Sequence, residues 1–142
     1  MHPLTRALSA ALISVAALAF AAPAAAQDKA RTALISIYHV ATGKQLDFLK
    51  WMAAREAVDR EAGVPATQWY AHMNGDSWDY LAVAPDLDDA TSDRLDEMAR
   101  KRGLKVGPQG GLEFRSMIDT HTDTFAAGPY SATELVDRAT KP

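Results

Sequence analysis

Beyond residue 26 the chain has three histidines, His39, His72 and His121, and Asp123 lies two residues past the last of them. Neutral imidazoles ligate zinc, copper or non-haem iron, and a single one can ligate haem iron. Histidine is also the side chain suited to moving a proton near neutral pH. In an extended segment His121 and Asp123 point the same way, which suits an acid–base pair. No HExxH and no close histidine pair is present, so no metal site is assigned. His39, His72, His121 and Asp123 are therefore the candidate catalytic set, and the sequence names no cofactor.

A second group is aromatic. Tyr38, Trp69, Tyr70, Trp78 and Tyr80 cluster on segments that read as strands. Flat rings with polar tips line pockets for planar organic ligands. The same residue types also build cores and subunit interfaces. Both roles stay open at this point.

Other chemistries drop out. The chain has no cysteine, which removes disulfides, thiolate metal sites, iron–sulfur clusters and cysteine nucleophiles. No GxSxG surrounds a serine. Val106–Gly111 is glycine-rich but lacks the GxGxxG or GK[ST] pattern, and reads as a flexible loop. Asp86, Asp88, Asp89, Asp93, Asp96 and Glu97 lack calcium-loop spacing and read as a solvated acidic face. Arg100, Lys101 and Arg102 fall where a helix would end, and cations suit that end of the dipole. A formal charge of −3 argues against a nucleic-acid partner.

Residues 1–26 carry a different message. His2 and Arg6 precede an uncharged, alanine-rich run from Ala7 to Phe20, and Ala24 and Ala26 precede Gln27. This is the three-part pattern of a secretory signal peptide, with cleavage expected after Ala26. The run is too weakly apolar for a stable membrane anchor. The mature chain is expected in the periplasm or secreted, as one domain over 27–130 with a short helical tail over 131–142.

Within 27–130 the order reads strand, helix, strand, strand, helix, strand. Lys29–Val40 reads as the first strand, and its stretch Ala33–Val40 is rich in β-branched and aromatic residues and largely apolar on both faces, as a central strand covered on both sides should be. Its two faces are Ala33, Ile35, Ile37, His39 and Leu34, Ser36, Tyr38, Val40. A helix is expected from Lys44 to Ala62, opened by a Thr42–Gln45 capping box and closed at Gly63. Thr67–Met73 and Trp78–Ala84 flank Asn74-Gly75, a strong hairpin signal. Trp69, Ala71 and Met73 oppose Gln68, Tyr70 and His72. A second helix is expected over Ser92–Arg102, helical turns over Leu112–Asp119, and a last strand over Thr120–Ala126. There His121, Asp123 and Phe125 oppose three threonines. Ser131 and Glu134 form a capping box for the tail helix.

This order is that of an α+β, ferredoxin-like βαββαβ unit, a four-stranded antiparallel sheet with helices on one face. With strand order 4-1-3-2, all three histidines fall toward one end of the sheet. Apolar residues on both faces call for a second layer, expected from another copy of the chain.

The pattern resembles the dimeric α/β-barrel superfamily, including proteins like the antibiotic-biosynthesis monooxygenases, the EthD proteins and the NIPSNAP proteins. The strand Ile35–Val40, the helix from Lys44, the Trp69–Trp78 hairpin and the Thr120–Pro129 segment carry the resemblance, which spans nearly all of 30–130. It implies a homodimer closing a barrel around a small-molecule cavity. It also implies kinship with cofactor-free oxygenases, haem-binding enzymes and isomerases. No catalytic set transfers residue by residue. The expected function is an exported homodimer binding a small organic ligand, with oxygenase-like or isomerase-like activity. The alternative is a non-catalytic periplasmic interaction module.

Overall fold

The computed structural model describes residues 32–141, and the expected leader over 1–26 lies outside them. The elements are β1 (Thr32–Val40), α1 (Gln45–Glu61), β2 (Gln68–Ala71), β3 (Tyr80–Pro85), α2 (Asp89–Lys101), α3 (Gly107–Arg115), β4 (Ile118–Ala127) and α4 (Ala132–Thr140). The strands form one sheet in the order β2-β3-β1-β4, antiparallel throughout. The fold is α+β and ferredoxin-like, as the order of elements predicts.

Alternation along each strand decides what the sheet buries. Cross-strand pairing aligns Tyr38 with Tyr80 and His121, and Ser36 with Ala82 and Asp123. This face meets the helices. Its core is Tyr38, Val40, Phe48, Ala82, Met117 and Ile118, with Trp51, Met52, Trp69, Tyr80 and Phe114 packed around it. Phe48 of α1 is completely buried. The opposite face carries Ile35, Ile37, Leu81 and Val83, all four only partly buried.

Helix ends follow local chemistry. Beyond α1, Gly63 sits at φ 76°, its N–H bonds the Arg60 carbonyl, and the Val64 N–H reaches back to Asp59 at 2.9 Å. That paired closure needs a left-handed residue, which glycine supplies. The Asp88 carboxylate accepts from the Thr91 N–H at 2.7 Å, so α2 starts three residues before the expected Ser92. In α4 the expected Ser131–Glu134 capping box is present.

Three local expectations are corrected. The Thr42–Gln45 box does not form. A backbone turn from the Lys44 N–H to the Ala41 carbonyl (2.9 Å) moves the helix start, and Lys44 flanks α1 without a side-chain cap. The hairpin does not close tightly at Asn74-Gly75. Its ladder ends with the His72 N–H on the Asp79 carbonyl (2.9 Å), and inside the loop the Asp76 carboxylate takes the Ser77 N–H. Local side-chain bonding there replaces a two-residue turn. Val106–Gly111 is mostly not a loop, because α3 begins at Gly107 with Pro108 in its first turn. Gly110 is there for closeness: a Cβ on it would lie 2.7 Å from the Lys105 carbonyl oxygen.

Candidate functional site

The site is built where β1 meets the edge strand β4. Register sets Tyr38 opposite His121 and Ser36 opposite Asp123. The Ser36 hydroxyl, buried, donates to Asp123 Oδ1 at 2.6 Å. Asp123 Oδ2 lies 3.2 Å from Nε2 of His121. The imidazole is near-parallel to the Tyr38 ring (6.2 Å, 14°) and meets Phe114 edge-on (5.1 Å, 87°). The histidine and aspartate side chains are 35% and 44% exposed, so solvent or a ligand reaches them. Below them Tyr38 packs on Phe48 (5.1 Å) and Trp69 (5.8 Å), which makes a buried aromatic floor.

Electrostatics follow from that burial. The Tyr38 phenol is held above the ordinary tyrosine value, chiefly by burial. Ser36 hydrogen bonding pulls the other way, and the Asp123 charge adds to the rise.

A clamp in the helix layer sets Phe114. Trp51 Nε1 of α1 donates to Glu113 Oε2 of α3 at 2.9 Å. The Arg55 guanidinium lies over the Trp51 ring at 3.3 Å and donates to the Lys105 carbonyl at 2.6 Å. The Trp51 bond pulls the Glu113 carboxyl below its usual range; desolvation opposes it, and Lys105 and then Arg55 add smaller pulls in the same direction as Trp51. Phe114 is the next residue, so this clamp sets where its ring meets His121.

The structure divides the candidate residues between two faces. Tyr38, Trp69, Tyr80, His121 and Asp123 share the helix-covered face. Trp69 Nε1 there donates to Glu56 Oε1 at 2.5 Å, and Tyr80 is near-parallel to Phe48 at 5.8 Å. His39 pairs with Thr120 on the open face. Tyr70 also lies there, half exposed, in a groove of about 310 Å³ walled by Ala33, Ile35, Val83 and Pro129. His72 follows β2 by one residue and packs on Trp78 at 5.0 Å, its Nε2 buried without a partner. The three histidines do lie toward one end of the sheet, but the sheet separates His39 and His72 from His121. They do not form one set with Asp123. Among the described residues, no three histidine, aspartate or glutamate side chains converge in a way that could hold a metal ion.

Ser36, Phe114 and the Trp51–Glu113 contact are absent from the sequence-level candidates. Ser36 had a signal: it is the one polar residue without an aromatic ring in the row Leu34, Ser36, Tyr38, Val40. A polar group on a buried row needs a partner, and Asp123 is that partner.

No protein-family profile matches the sequence, and no curated protein aligns with it significantly. Solved structures do share its architecture. SnoaB, a cofactor-independent oxygenase from Streptomyces nogalater, is 13% identical, covers 72% of this chain and 97% of its own, and superposes with a TM-score of 0.47. An uncharacterised NIPSNAP domain protein from Burkholderia xenovorans is 15% identical over 71% of this chain and 96% of its own, at a TM-score of 0.41. A dimeric protein of unknown function with a ferredoxin-like fold, from Bacteroides fragilis, is 12% identical over 68% and 95%, also at 0.41. These likenesses concern architecture, and the chemistry of this chain rests on its own side chains.

Proposed function

We propose that this chain binds a small, planar organic molecule at the edge of the helix-covered face and exchanges a proton with it through His121. The observation that carries this reading is a solvent-open His121–Asp123 pair set over a buried aromatic floor. The partly exposed rings of His121 and Phe114 offer a flat ligand its contact edge, the buried rings beneath hold them in place, and the imidazole supplies the one group suited to proton transfer near neutral pH. Proton transfer is the whole reaction of many isomerases and the opening step of an oxygenase that works without a cofactor. The protein acts as an exported homodimer in this reading. The pattern over 1–26 supports export, and the aliphatic open face of the sheet supports a second copy lying against it.

The reading is tested by titrating 4-nitrophenol and 1-naphthol into the protein labelled for nuclear magnetic resonance. The Trp69 indole and His121 ring signals should move, and His121→Ala should weaken binding by about tenfold, or about 1.4 kcal/mol. Shifts confined to Tyr70 and His39, or none at all, would overturn it. The second reading, an interaction module without catalysis, draws on the packed state of the floor, whose ring centroids lie 5.1 to 6.4 Å apart. It gains if neither probe binds and the protein remains dimeric.

A further inference from the structure

We propose that Nδ1 of His121 is the atom that takes the proton, and that Asp123 and Ser36 are positioning residues that leave its lone pair free. The inference rests on reading the site as one of proton transfer and goes further by assigning the atom and the class of ligand. One continuous set of contacts carries it. Ser36 Oγ donates to Asp123 Oδ1 at 2.6 Å, and Asp123 Oδ2 lies 3.2 Å from Nε2 of His121. A neutral imidazole holds one N–H, and a carboxylate can only accept. The tautomer with the proton on Nε2 is therefore the favoured one, and the basic lone pair sits on Nδ1.

Ser36 is buried out of a ligand's reach, so it is no nucleophile, and its hydroxyl proton is held by Asp123. Its role is to hold one carboxylate oxygen so that the other faces the imidazole. Tyr38 alongside the ring and Phe114 edge-on to it restrict ring rotation. The ligand class is a planar, weakly acidic organic molecule, a phenol or an enol. Its O–H bond breaks, the electron pair stays on its oxygen, and the proton moves to Nδ1. The resulting imidazolium lies against the Asp123 carboxylate, which balances its charge. No oxidant or reductant enters the step.

The test reads the ring nitrogens directly, by 15N resonance of histidine-labelled protein at a pH where His121 is neutral. In the wild type the N–H should be on Nε2. In Asp123→Asn the amide can donate to Nε2, and the N–H should move to Nδ1. Asp123 is half exposed, so this variant keeps the fold. Ser36→Ala should give a mixture of tautomers, and Ser36→Thr, which restores the hydroxyl, should return the Nε2–H form. With 4-nitrophenol the wild type should raise the yellow phenolate band on binding, and Asp123→Asn should bind it with that rise cut about tenfold. A wild-type N–H on Nδ1, or an Asn variant with an unchanged tautomer, overturns the inference. If 4-nitrophenol fails to bind at all, the ligand reading of the previous section falls, while the tautomer result still decides this one.

Discussion

Along β1 the two rows meet different surroundings. Ser36, Tyr38 and Val40 pack beneath the helices, while Ile35, Ile37 and His39 line the other face. The sequence is apolar on both faces, yet among the described residues the helix-packed core lies on one of them. The covered face gains Phe48, Trp51 and Met52 from α1 and Phe114 from α3. The open face has Leu81, Val83 and Tyr70 as neighbours, and its groove stands open at Tyr70. The difference teaches which side holds the fold and which side the proposed second copy would cover. At the β4 edge of the covered face the packing thins, and His121 and Asp123, the residues of the proposed site, emerge.

The largest expected contrast follows. Phe48→Ala removes a fully buried ring between α1 and the sheet, and should cost about 3–5 kcal/mol in urea unfolding. Ile37→Asp on the open face should leave the secondary structure intact by circular dichroism but turn a dimer into a monomer by light scattering. A monomeric wild type, or an Asp variant that stays dimeric, would show that no second copy lies on this face. Loss of less than about 1 kcal/mol in Phe48→Ala would show that the covered face is not the core.

The two faces also explain how much could be read from the sequence. Alternation within each strand is a local property. It correctly groups Ser36 with Tyr38, Trp69 with Ala71, and His121 with Asp123. Which row meets which is set by cross-strand register, and no single strand encodes that. So the three histidines were legible at one end of the sheet, while their division between faces was not. The β-bulge at His39/Val40 adds to this, because Val40 pairs with Ile118 and His39 with Thr120, leaving Asp119 over. The glycines of α3 misled for a different reason. Gly110 is small to admit the Lys105 carbonyl, and composition alone reads such a residue as loop. Ser36 needed only one further step, asking what a buried hydroxyl would bond.

The smallest expected effect separates the faces by pH. Tyr38 is buried on the covered face, and its folded phenol is raised above the ordinary value of about 10, mainly by desolvation. The folded state therefore favours the neutral phenol. Below the unfolded value its contribution is fully present. As pH rises through about 10 the unfolded chain releases the proton first, and stability falls until the folded phenol also ionises. Tyr38→Phe should remove this part of the alkaline slope while leaving the slope below about pH 9 unchanged, as read from urea midpoints between about pH 8 and about pH 11. The substitution takes away only the hydroxyl, so the ring contacts with Phe48 and Trp69 remain available to hold the floor. Identical alkaline slopes in the two proteins would mean that the phenol ionises as readily folded as unfolded. The covered face would then be wet at Tyr38, and the floor beneath His121 would lose the dryness that makes it a distinct surface.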